Sequence, residues 1–177
     1  LIAGVELQQA SYERACRNAE MNRLQERIHF FHSDVKEAAV GKLAFLKGSA
    51  DVVTTNPPYM PSLGGLTNAN SAKAIARHET SAGLEDFFAC AAALLKPRGD
   101  LFMVHRPSRL ADICCFARQY GLEPKRLCFV SPNVKKAPNI ILVHCVKGGG
   151  RELRLLDPLY VYREDGSYTE ELRSCYL

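Results

Sequence analysis

With 177 residues, 47% apolar and 24% charged, the chain has the length and composition of one globular domain with a sizeable core. No apolar run is long enough to cross a bilayer, so a membrane span is not expected, and a net charge of +4 is small. Seven cysteines, an odd number with no Cys-x-x-Cys pair and no zinc-type His spacing, predict reduced thiols of a cytoplasmic protein and no metal site.

The chain opens inside an apolar run, Leu1 to Glu6, which reads as a strand. A start at Leu1 with no signal-peptide layout predicts that the natural amino terminus lies upstream. Residues 8 to 22 follow as a helix, with Tyr12, Ala15, Cys16 and Ala19 on one face. Arg27 to Ser33 is a second strand closed by Asp34, and Ala50 to Thr55 a third. Residues 60 to 82, with Gly64, Gly65 and many Ser, Thr and Asn, read as a long substrate-side loop.

A helix carrying Leu84, Phe87, Phe88, Ala91, Leu94 and Leu95 is expected to stop at Pro97 and Gly99. Asp100 to His105 reads as a buried strand, and Ser108 as the N-cap of a helix ending at Gly121. Two closing strands, Arg126 to Val130 and Ile140 to Val146, are joined through Lys135 and Lys136. Gly148, Gly149 and Gly150 precede an extension, 151 to 177, ending in a short helix. Alternation of this kind predicts a single α/β domain over 1–177 with a mostly parallel, doubly wound sheet and an antiparallel closing hairpin.

Chemistry concentrates where Thr55 runs into Asn56-Pro57-Pro58-Tyr59. Two successive prolines remove two backbone donors and hold the preceding residues extended, so the strand must stop in a stiff corner. In an open α/β sheet that edge is where ligands bind. The corner offers the Asn56 carboxamide oxygen, the Pro57 carbonyl and the Tyr59 ring, a set suited to a planar group bearing an NH2. The plainer alternative is a Pro-Pro turn with Asn56 as a local cap. Glu6, Asp34 and Asn56 end three successive strands; any one such residue is more often just a helix cap, but three in register favour a nucleotide site. Between 96 and 151 there are eleven Lys or Arg against Asp100, Asp112 and Glu123, an asymmetry that could attract RNA or form a solvated face.

The order Gly4-Val5-Glu6, His32-Ser33-Asp34, Asn56-Pro57-Pro58-Tyr59 resembles the class I S-adenosylmethionine-dependent methyltransferases, in the form that acts on amino groups. Ala76-Arg77-His78-Glu79, the Phe87-Phe88 helix and the Tyr168-Thr169-Glu170 tail resemble the tRNA adenine-N6 methyltransferases acting on valine tRNA. The resemblance implies a Rossmann-like sheet and S-adenosylmethionine held by Glu6, Leu7, Asp34, Val35 and Asn56. It implies catalysis by Asn56, Pro57 and Tyr59, with RNA, as tRNA, contacted by Pro58, Tyr59, Arg77, His78, Lys135 and Lys136. The family's first strand and Gly-rich loop have no counterpart here, so a gap or exposed edge is expected between the Leu1 and Ala50 strands, with weak cofactor binding and self-association of the 177-residue chain. Two other readings are a protein-glutamine methyltransferase using the same corner, and a binding module without catalysis.

Overall fold

A computed structural model of the chain describes residues 1–59 and 82–176. Strands β1 (Ile2–Glu6) and β2 (Ile28–His32) pair in parallel around helix α1 (Gln9–Met21). Gly4 stands opposite Phe30, and a Cβ there would lie 2.6 Å from the Phe30 ring, so the ring packs directly on glycine backbone. One helical turn, α2 (Val35–Ala38), follows with Asp34 as its cap, and the chain then enters β3 (Ala50–Thr55).

Beyond the corner come α3 (Leu84–Leu94), β4 (Leu95–His105), α4 (Leu110–Gln119), β5 (Leu122–Ser131) and β6 (Ile140–Lys147). Strands β3 and β4 are parallel, whereas β4 with β6 and β6 with β5 are antiparallel. The expected closing hairpin is therefore present. It sits in the main sheet, whose order is β3-β4-β6-β5. Short strands β7 (Arg154–Leu155) and β8 (Leu159–Tyr160) run parallel along β5, so the extension covers that edge before ending in α5 (Glu170–Ser174).

Two local expectations are corrected. Helix α3 ends at Leu94, three residues before Pro97, but β4 starts at Leu95 rather than at Asp100. Pairing jumps from Ala50↔Leu95 to Val52↔Asp100, so Lys96 to Gly99 form an irregularity inside the strand, with Arg98 in the left-handed region at φ 67°. Ser108 is not an N-cap: it lies within a 3-10 turn, Pro107–Arg109, from which α4 starts without a side-chain cap.

Helices α3 and α4 cover one face of the main sheet. Phe88, Ile113, Leu101, Leu122, Ile141 and Cys145 are fully buried between them. A second, smaller core of Ala38, Ala39, Leu43, Cys90 and Leu94 joins the β1–β2 pair to α3 and β3. Among the described residues, strand β1 is paired only with β2, and β3 only with β4. The gap expected between them is a cleft of about 1580 Å³ lined by residues 1–8 and 49–56.

Candidate functional site

Parallel pairing brings the carboxyl ends of β1 and β2 together, and those of β3 and β4 together. Antiparallel pairing of His105 with Ile141 brings the start of β6, and with it the β5–β6 connection, to the latter edge. At the end of β1, Glu6 Oε1 accepts from the Gln8 backbone N–H at 2.7 Å, and the Glu6 carbonyl accepts from Ser33 N–H at 3.1 Å. The Leu7 carbonyl accepts from His32 Nε2 at 2.9 Å. These contacts hold the ends of β1 and β2 together. Asp34 Oδ1 accepts from Lys36 N–H at 2.9 Å, so one carboxylate oxygen serves the cap that the residue type suggested.

Glu6, Leu7, Asp34, Val35, Asn56 and Pro58 all line the cleft between β1 and β3. Six positions chosen as cofactor or substrate contacts thus border this one gap, which also runs along the whole of β1 and β3. Its walls combine apolar side chains with the Glu6 and Asp34 carboxylates, acceptors that suit a ligand carrying ribose hydroxyls and an exocyclic amine.

After Thr55 the chain has no regular structure through Tyr59, as the two prolines require. Pro57 is buried, while Asn56 and Pro58 are exposed. The Tyr59 hydroxyl donates to Asn56 Oδ1 at 2.8 Å, which orients the carboxamide with its oxygen fixed by the contact. Tyr59 meets the His105 ring edge-on, with centroids 5.2 Å apart and planes at 72°. The Arg106 guanidinium carbon lies 4.8 Å from the Tyr59 centroid, over the ring.

His105 and Arg106 were not among the site residues expected from the sequence. A signal existed: His105-Arg106-Pro107 repeats the strand-then-proline punctuation of Asn56-Pro57 at the end of the adjacent strand. His105 is 1% exposed, and burial, reinforced by the Arg109 charge, holds its imidazole below the usual range. Its Nδ1 accepts from Arg106 N–H at 2.8 Å, which requires that nitrogen to be unprotonated.

Lys135 and Lys136 lie exposed on the β5–β6 connection, on the same edge as Asn56. Lys135 Nζ is paired with Glu164 at 2.8 Å, both side chains about three-quarters exposed at 75% and 76%. Lys96, Arg109 and Arg118 in the basic stretch also face carboxylates, those of Asp51, Asp112 and Glu123. Part of the local positive excess is therefore engaged in surface pairs. Arg77 and His78 lie outside the described residues. Among the described residues no cluster of His, Cys, Asp and Glu could hold a metal, and no helix is long and apolar enough to cross a membrane.

No family profile matches the chain. Curated relatives do. It is 25% identical over 171 residues to a protein of Aeromonas hydrophila subsp. hydrophila, covering 96% of this chain and 67% of that one. It is 28% identical over 142 residues to one of Tolumonas auensis, covering 80% and 56%. Over 171 residues it is 28% identical to one of Vibrio cholerae, covering 96% and 66%. All three carry the name tRNA1(Val) (adenine(37)-N6)-methyltransferase. The chain thus spans between 56% and 67% of the length of these relatives. Among solved structures, one described as a predicted O-methyltransferase from Agrobacterium tumefaciens superposes with a TM-score of 0.75 at 22% identity, covering 97% of this chain and 74% of that one. The geranyl diphosphate C-methyltransferase of Streptomyces coelicolor A3(2), solved with S-adenosyl-L-homocysteine, gives 0.58 at 12% identity, covering 82% and 62%. These likenesses agree with the resemblance read from the strand-end motifs.

Proposed function

We propose that this chain, which has the class I methyltransferase fold and resembles the tRNA adenine-N6 methyltransferases, is the catalytic part of an enzyme that methylates adenine N6 in RNA. The substrate class is tRNA, the cofactor S-adenosylmethionine and the compartment the cytoplasm. One observation carries the reading: Glu6, Leu7, Asp34, Val35 and Asn56 border a single cleft, with Tyr59 bonded to Asn56 at its mouth.

Bound in that cleft, S-adenosylmethionine would supply an electrophilic methyl group on sulfur. Glu6 has the place and chemistry to hold ribose hydroxyls, Asp34 to accept from the adenine amine of the cofactor, and Leu7 and Val35 to pack its rings. Asn56 Oδ1 and the Pro57 carbonyl accept the two hydrogens of the target NH2. Those bonds direct the nitrogen lone pair toward the cleft and stabilise the positive charge that builds as the new N–C bond forms. Tyr59 stacks on the base, which must leave its helix or loop stack to reach the corner. Most of the rate gain then comes from holding two reactants in line.

The test is incubation of the full-length protein with methyl-labelled cofactor, total tRNA and a cell protein extract. Label is expected in tRNA as N6-methyladenine; label confined to protein would overturn the reading in favour of a glutamine methyltransferase. Asn56→Ala should lower kcat on tRNA by about a hundredfold, the scale of losing one preorganised polar partner.

A further inference from the structure

We propose that Arg106 is a positioning residue that sets the orientation of the Asn56 carboxamide through Tyr59. The inference rests on the methyl-transfer reading for its purpose, but its geometry stands on contacts already described. The backbone of 56–58 is stiffened by two prolines, so the remaining freedom at the acceptor is rotation of the Asn56 side chain. The terminal torsion of a carboxamide is broad and roughly two-fold, and its two ends differ in sign: one accepts, the other donates. A target amine needs the accepting end.

Tyr59 makes that choice. Its hydroxyl donates to Asn56 Oδ1 at 2.8 Å and uses one of the two lone pairs of that oxygen, leaving the second for an incoming amine. The ring delivering the hydroxyl is held in turn by β4. His105 meets it edge-on and is itself buried, while Arg106 lies across it. Arg106 has two further anchors: its Nη1 donates to the Asn139 carbonyl at 2.9 Å, and its backbone N–H donates to His105 Nδ1 at 2.8 Å. A planar guanidinium can lie over an aromatic face and bond a carbonyl in its own plane at once; an ammonium cannot match both. The relay therefore runs from the β5–β6 connection at Asn139, through Arg106 and Tyr59, to the acceptor atom at Asn56.

Two measurements test this. In steady-state kinetics of the full-length protein on tRNA, Arg106→Ala should lower kcat/KM roughly tenfold, within the span of a partly desolvated cation–π contact. Arg106→Lys should recover part of that loss. In a Tyr59→Ala background the same Arg106→Ala change should cost nothing more, because the residue through which it acts is gone. Losses that multiply would overturn the proposal and make Arg106 an independent contact, as to a phosphate. In the full-length protein, the side-chain amide resonances of Asn56 should move on Arg106→Ala and on Tyr59→Phe, and should not respond to Arg106→Ala once Tyr59 is Ala. Resonances unmoved by Arg106→Ala would equally overturn it. If the wild type labels no RNA at all, the proposed reaction falls, and the Asn56 resonances still decide the relay.

Discussion

His105 shows how one side chain can carry both site geometry and a pH signature. Burial and the Arg109 charge depress its affinity for a proton in the folded protein, and its Nδ1 already accepts from Arg106 N–H. In the unfolded chain the imidazole titrates near pH 6.5. Above that value both states are neutral and the full stability is present. As pH falls below about 6.5, the unfolded chain takes up a proton that the folded chain resists, so stability is lost on the acid side. Chemical denaturation at a series of pH values should show this slope setting in below about pH 6.5. His105→Gln should flatten it without moving the neutral-pH plateau by the same amount. An unchanged slope would show that His105 protonates freely. The residue also marks the limit of sequence reading at this scale. The corner at Asn56, Pro57 and Tyr59 was legible as a break in regular structure because proline geometry is local. His105 and Arg106 matter because β4 lies beside β3, a long-range fact with only a faint local trace.

At the scale of elements, the end of α3 combines a local signal with a distant one. Pro97 is a strong terminator by type, and the helix ends at Leu94, three residues before it. Lys147, more than fifty residues later, places its Nζ against the Ala92 and Leu95 carbonyls at 2.6 and 2.7 Å. A cation on the last carbonyls satisfies groups that the helix leaves open and complements its dipole. No local pattern announces a cap supplied by another strand. Lys147→Met, which keeps the apolar stem, should destabilise the chain by about 2 kcal/mol, the worth of charge-assisted bonds at a partly buried site. The denaturant midpoint should fall with little change in slope; a midpoint within error of wild type would remove Lys147 from that role. The strands themselves were largely legible, since β-branched runs and alternating helices are local signals. The carboxyl-terminal strands β7 and β8, two residues each, were legible only as an extended arm, because pairing to β5 fixes them.

At the scale of the whole molecule, the two sheets share a small core among the described residues. The β1–β2 pair with α1 is a two-stranded sheet, a size that is marginal by itself, and it meets the rest through Ala38, Ala39, Leu43, Cys90 and Leu94. The four-strand pairing of β3-β4-β6-β5 under α3 and α4 holds most of the fully buried side chains. Separation of the two sheets should therefore need less free energy than opening the main sheet. Two cysteines happen to mark the two seams. Cys90 lies at the joint, whereas Cys145 is fully buried inside the main core, its thiol pushed up to about 12 by burial. A thiol reacts with an alkylating reagent only as an accessible thiolate. The chain thus carries two built-in clocks: Cys90 times the parting of the two sheets, and Cys145 the loss of the main one. Mass spectrometry of peptides after pulses of iodoacetamide should find Cys90 modified well before Cys145, and equal rates would mean that the molecule opens only as one unit.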